Sequence, residues 1–405
     1  MISWPVPDNL NFLTHKRDGL IPLFLSGVSR RVAAALLSLF SPIYIFQIMK
    51  NFGGEQRLAI MIVLLYYLII LFSKLLSLVV AENLSQKAGF KSMIWASFIP
   101  FVVFIISLVL TSSWPVFFLV AALAWGIHSG FFWWGYHGYF IKAGDEEYFG
   151  HSIGKAGFLE TSALVLSPFL GAIAITIFGF NALFFLSGIF MILALFFLGK
   201  DHDKRQRRDI VFKDILSLIK SHKSISLAYI GSSAESILYL VVWPLFLFLF
   251  FGQVLSLGII VSAAVFLAAV FSLVVGRWVD KQGERTIVSF GTPLVAISWI
   301  IRLVQKSLPA FIVADTLWNF GQKMVVLPLR TLTYKKAVEG GSARAILFRE
   351  TTMTIGGVAS LLLFAVWIFL GGGFDKGFIM AAVLSMLPLV AVFKKRLYDK
   401  GKKKN

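Results

Sequence analysis

Gly276-Arg277-Trp278-Val279-Asp280-Lys281-Gln282-Gly283-Glu284-Arg285 reads as a glycine, three residues, an acid, a base, a second glycine and, two residues on, another base. Glycines permit a tight turn and close approach of helices, and an acid such as Asp280 suits a neighbouring helix N-terminus. Lys281 and Arg285 can hold phosphates or facing carboxylates. The plainer reading is a tight, solvated turn. Long apolar runs flank the stretch on both sides, so it joins two buried or lipid-embedded segments.

Working outward, apolar runs bounded by charges or turn residues fall near 31–50, 57–80, 92–111, 114–140, 156–178 and 180–199, then near 226–251, 254–276, 287–304, 308–332, 346–371 and 374–394. A helix crossing the hydrocarbon core takes roughly 20 apolar residues, so twelve crossings use most of the 405 residues. With 58% hydrophobic and 14% charged residues, such a surface needs lipid. The fold class expected is an all-α membrane protein of twelve transmembrane helices. Its organisation reads as a six-helix bundle over 1–199, a basic linker over 200–225, a second six-helix bundle over 226–394 and a basic tail over 395–405.

A net charge of +18 is of the size seen in nucleic-acid-binding proteins, but its placement argues for topology. Sorted into alternating loops, thirty of the 38 Lys and Arg residues fall on the side that holds both termini and the linker. Lys50, Arg57, Lys306 and Lys376 fall on the other, and Lys74, Arg302, Lys323 and Arg330 lie inside spans. Retained positive charge marks the cytoplasmic side, so both termini are expected there and no nucleic-acid partner is. The first thirty residues hold Asp8, His15 and Asp18 and no clean apolar stretch before a cleavage site, so no removable signal peptide is read. Absence of cysteine excludes disulfides, thiol catalysis and Cys-based metal sites.

The opening stretch, lying after the eighth run on the expected cytoplasmic side, resembles the signature loop of the major facilitator superfamily, which follows the second span of each half. The corresponding first-half loop, Glu82-Asn83-Leu84-Ser85-Gln86-Lys87-Ala88-Gly89-Phe90-Lys91, keeps Lys87, Gly89 and Lys91 but has Glu82 for the leading glycine and Gln86 for the acid. Phe158-Leu159-Glu160-Thr161 and Phe348-Arg349-Glu350-Thr351 echo each other at the fifth and eleventh spans. Two echoes in one orientation describe parallel repeats rather than inverted ones. In the fifth span Gly154, Pro168 and Gly171 match a small-residue antiporter pattern of the family. The resemblance, to twelve-helix bacterial members, implies two parallel six-helix pseudo-repeats, a gate built on Gly276, Asp280, Lys281, Gly283, Arg285, Lys87, Gly89 and Lys91, and a central cavity lined by spans one, four, seven and ten.

Ionisable residues inside spans cost several kcal/mol at the bilayer centre and tend to face a cavity or a partner. Glu235 in the seventh span and Lys323 in the tenth share a depth, and the resemblance would let them meet, either as a self-neutralising pair or in substrate or proton binding. Asp315, Trp318, Asn319 and Gln322 fall on one helical face with Lys323 at its edge. Asp315 also sits near the depth of Arg302, for which a structural ion pair is the plainer reading. Trp125, His128, Phe132, Tyr136 and Tyr139 share a face of the fourth span, from which His137 points away. The plainer reading of that stripe is packing; the candidate cavity takes Tyr44 of the first span, Trp125, His128 and Tyr136 of the fourth, Glu235 and Tyr239 of the seventh and Trp318, Asn319, Gln322 and Lys323 of the tenth. It is aromatic and sparsely charged, which suits amphipathic or hydrophobic organic solutes better than highly charged ones. Glu235, Glu160 and Asp315 are the candidates for proton coupling, with Glu160 and Glu350 also readable as gate or cap residues.

These residues point to a secondary transporter working by alternating access, with proton-coupled antiport and efflux preferred. Uptake of a small metabolite, lipid translocation and a transporter-like protein without transport remain open. No catalytic constellation, metal-ligand cluster or phosphate loop is present, so neither enzymatic activity nor a cofactor is expected. Expected partners are the lipid bilayer, a small-molecule substrate and protons, with the chain acting as a monomer in a bacterial cytoplasmic (inner) membrane.

Overall fold

A computed structural model describes residues 20–143, 164–199, 212–282 and 284–390, with side chains over 21–143, 164–199, 215–269, 285–334 and 341–390. Every regular element among the described residues is helical. The first half holds α1 (Leu20–Asn51), α2 (Gln56–Ala88), α3 (Phe90–Ala96), α4 (Phe98–Thr111), α5 (Phe117–Ala143), α6 (Ser167–Phe178) and α7 (Phe180–Leu198). A short helix, α8 (Phe212–Ser221), precedes the second half of α9 (Lys223–Phe251), α10 (Val254–Gln282), α11 (Glu284–Val304), α12 (Leu308–Gly340), α13 (Ser342–Phe369) and α14 (Phe374–Ser385).

Eight of the described helical segments are long and apolar enough to cross a membrane, α3 and α4 together making one of them, and α6 and the Val254–Ala269 part of α10 are shorter apolar segments. Their outer faces carry bare apolar side chains such as Leu76, Ile99, Phe196 and Phe369, each 70% exposed or more. In water such a surface would drive association; in lipid it is the solvated face. α12 falls outside that set although it is 33 residues long, because Asp315, Lys323 and Arg330 interrupt its apolar run.

The halves repeat one packing scheme. α1 lies against α7 as α9 lies against α14, and α2 against α5 as α10 against α12. Across the seam α2 meets α13, α6 meets α10 and α1 meets α9. Twelve spans in two parallel six-helix repeats therefore describe the chain, with α3 and α4 sharing the third span.

Small residues set the tightest of these contacts. A Cβ on Gly126 of α5 would sit 1.8 Å from Ser73 Oγ, and one on Gly130 would sit 1.9 Å from Ser77 Oγ. Two Gly and two Ser, each pair four residues apart, let the α2 and α5 backbones approach closely, the device lipid-embedded helices use where burial from water offers no drive. That approach positions Lys74 on α2 and His137 on α5.

Two differences from the sequence reading are local. The stretch beginning at Gly276 is not a loop: α10 continues through Gln282 and α11 starts at Glu284. The basic segment 200–225 is not uniformly loop either, because α8 lies within it and Ile215 is fully buried in one apolar cluster with Leu198, Phe140, Ile346 and Leu347.

Candidate functional site

Glu235 lies twelve residues into the 29-residue α9 and is wholly buried. Its Oε1 accepts the indole N–H of Trp299 at 2.6 Å and that of Trp318 at 2.5 Å. Its Oε2 accepts the side-chain N–H of Gln322, which also reaches Ser236 Oγ at 3.3 Å. A buried carboxylate survives only where such donors replace water, and these come from α11 and α12. A protonated carboxyl would carry its own O–H donor against this ring of donors, so proton uptake and the packing of α9, α11 and α12 are chemically linked.

Lys323 is not among the partners of Glu235. It follows Gln322 by 100° around α12, which turns its stem off the face that meets α9; the side chain is half-buried and pairs with no carboxylate among the described residues. The expected Glu235–Lys323 meeting is thus replaced by three neutral donors. Asn319 donates to the Asp315 carbonyl at 2.9 Å, within its own helix.

Asp315 makes the ion pair expected with Arg302, at 2.5 Å and with both side chains fully buried. Tyr239 donates to the second carboxylate oxygen at 3.3 Å, and Arg302 Nη1 donates to Ser298 Oγ at 3.2 Å. The guanidinium lies 4.4 Å from the centre of the Trp299 ring and 4.5 Å from that of Trp243. Tyr239 stacks on Trp318 at 3.3 Å. Glu235 and Asp315 are therefore joined through one aromatic layer.

In the first half the aromatic stripe of α5 is packing. His128 is buried, donates from Nδ1 to the Ser97 carbonyl at 2.8 Å, and lies among Phe101, Trp125 and Phe132. Tyr136 stacks between Phe132 and Phe140. Tyr44 is spent on the first half itself, donating to the Leu108 carbonyl at 2.7 Å and lying against Phe180 and Phe184. Trp125 alone of these lines a cavity of about 20 Å³, with Ser38, Ser41, Tyr66, Tyr67 and Leu240. That is room for one water.

The sequence reading missed a third group, on the seam. Lys74 of α2 pairs with Glu350 of α13 at 2.5 Å, and Arg349 bonds the other Glu350 oxygen. His137 accepts from Arg349 at Nε2, 3.0 Å away, so its Nδ1 carries the proton that it shares with the Tyr334 hydroxyl of α12. Glu350 is 1% exposed and Arg349 7%. Arg30 is also buried, inside α1 and 4.0 Å from the centre of the Phe132 ring. The sorting of charges counted Arg30, Arg31 and Arg349 with the cytoplasmic loops, whereas the structure puts all three inside helices. The signal available was the charged pair Arg349-Glu350 at the second echo, matched by Lys74 inside the second span.

Of the gate residues, Gly89 has φ +86° and breaks the chain between α2 and α3. Lys87 is exposed in the last turn of α2 and Lys91 is buried at the start of α3. Gln86 donates to Glu82 at 2.7 Å, so the two departures from the motif satisfy each other. Arg285 is exposed in the first turn of α11. Gly276, Asp280 and Lys281 belong to the last turns of α10, their side chains, like Gly283 and Glu160, lying outside the described residues.

No curated protein matches this chain in sequence. Among solved structures it is similar to the human organic anion transporter MFSD10 (TETRAN), with a TM-score of 0.70 and 15% identity over 94% of this chain and 100% of that one. An auto-inhibited POT family peptide transporter matches with a TM-score of 0.68 and 10% identity, covering 94% of this chain and 96% of that one. The POT family transporter PepTSo gives 0.67 and 11%, covering 97% of this chain and 99% of that one. The sequence profile of the Major Facilitator Superfamily matches residues 23–225, half of the chain. On this match and the shared fold, the chain is an integral membrane protein that belongs to the Major Facilitator Superfamily.

Proposed function

We propose that the chain is a secondary transporter that carries a small organic, amphipathic solute by alternating access, with Glu235 as the proton-coupling group. The observation that carries the reading is the Glu235 carboxylate, buried at mid-span and held only by donors from two other helices. Protonating it changes what Trp299, Trp318 and Gln322 can bond, which ties a proton to the relative position of α9, α11 and α12. The fixed ion pair of Asp315 with Arg302 makes Asp315 the scaffold of this site. Both termini inside fits the distribution of positive charge; export by antiport from a bacterial cytoplasm, with one chain as the working unit, completes the proposal.

Glu235→Gln in proteoliposomes tests the coupling. The neutral amide is expected to abolish flux driven by a proton gradient while leaving solute exchange without a gradient in place. Proton-driven flux that keeps the parent's pH dependence rules Glu235 out.

A further inference from the structure

The seam cluster holds a carboxylate, and the arrangement is that of a receptor for one. Lys74 Nζ stands 2.5 Å from Glu350 Oε2, and Arg349 Nη1 bonds Oε1. His137 Nε2 lies 3.8 Å from the same Oε1. Arg349 Nε is buried and has no hydrogen-bond partner, so the guanidinium fork is only half used. Side chains from α2, α5 and α13 thus converge on one carboxylate. Trp133 stacks on the His137 ring at 5.1 Å and supplies an apolar wall beside the charges.

We infer that Lys74 and Arg349 bind the carboxylate of a small organic anion with an aromatic or aliphatic body, and that Glu350 occupies this site as an internal stand-in while the seam is closed. This rests on the transport reading above and names its substrate class. The two carboxylates compete for one ammonium and one guanidinium. An incoming carboxylate can use Arg349 Nε and an Nη in two parallel bonds, a geometry the Glu350 side chain does not adopt here. Its arrival frees Glu350 from Lys74, and with it the one ion pair among the described residues that joins α2 to α13 across the halves. Breaking a buried pair outright is costly because it strands a charge. Exchanging one carboxylate for another leaves Lys74 and Arg349 paired throughout, so opening the seam leaves only the Glu350 carboxylate to be rehydrated. Neutral or cationic solutes offer no such exchange, and selection for anions follows from the same contacts.

Purified full-length protein in lipid nanodiscs provides the test, with benzoate as probe and benzamide and benzylammonium as its neutral and cationic counterparts. Benzoate is expected to raise the unfolding temperature and the two counterparts to leave it unchanged. Lys74→Gln and Arg349→Gln each remove a charge-assisted contact and are expected to weaken benzoate by about tenfold or more. Glu350→Gln removes the internal competitor and is expected to tighten benzoate by a comparable factor. That gain cannot come from a misfolded variant. Equal binding of benzoate and benzamide, or a Glu350→Gln protein that binds benzoate no more tightly than the parent, overturns the proposal. Benzoate binding with this mutational pattern but no benzoate flux in proteoliposomes would leave the site standing and overturn the transport reading instead.

Discussion

Trp318 gives Glu235 one of its three donors and also stacks on Tyr239, two roles that Trp318→Phe separates. Phenylalanine keeps a ring on Tyr239 and deletes the N–H. Loss of a hydrogen bond to a buried charged acceptor costs about 1.5–3 kcal/mol, and a lowered unfolding temperature in detergent is the expected readout. Two ion pairs offer a sharper contrast. Asp315→Ala strands the fully buried Arg302 and is expected to cost about 3–5 kcal/mol. Lys306 and Asp375 stand 3.8 Å apart with both side chains about half exposed, so Asp375→Asn is expected to change stability by about 0.5 kcal/mol or less. Similar destabilisation by the two substitutions would refute the burial argument. Glu235 and Asp315 stood out in the sequence because an acid inside an apolar run is conspicuous. Trp299 did not, since nothing in an apolar run separates a packing indole from one that donates to a carboxylate.

Helices α2 and α5 make the firmest prediction at the scale of elements. Gly126→Val would press a side chain onto Ser73 Oγ and the Ile70 carbonyl, which a Cβ alone already approaches to 1.8 and 2.6 Å. Monodisperse protein is expected to be lost on size-exclusion chromatography. Gly188 of α7 meets nothing within 4 Å of its added Cβ, so Gly188→Ala is expected to keep the parent's elution profile and gain up to about 1 kcal/mol from helix propensity. Most spans were legible because each needs a long apolar run. Helix α8 was not, because a basic composition conceals Ile215, Leu218 and Ile219, which form its apolar stripe. The end of α10 was missed for a related reason: charge ends an apolar run without ending a helix.

For the molecule as a whole, the cysteine-free sequence makes a cross-link across the seam interpretable. Leu71 of α2 lies 3.0 Å from where a Cβ on Gly357 of α13 would sit. A Leu71→Cys, Gly357→Cys protein joined by a short thiol-reactive linker is expected to lose transport in proteoliposomes and to regain it when a reducible linker is cleaved. Transport by the cross-linked protein would mean that α2 and α13 do not separate during the cycle. Apolar run length, the sidedness of positive charge and the two motif echoes determined in advance that this chain spans a membrane in two parallel halves. Each of these is written along the chain and needs no partner to be read. Which charges meet was decided only by the tertiary structure: Glu235 takes three neutral donors instead of Lys323, and Lys74, His137, Arg349 and Glu350 converge from three helices of both halves. The physical reason is angular. A rotation of 100° per residue separates Gln322 from Lys323, and only the packing of one helix on the next fixes which of them faces the acid.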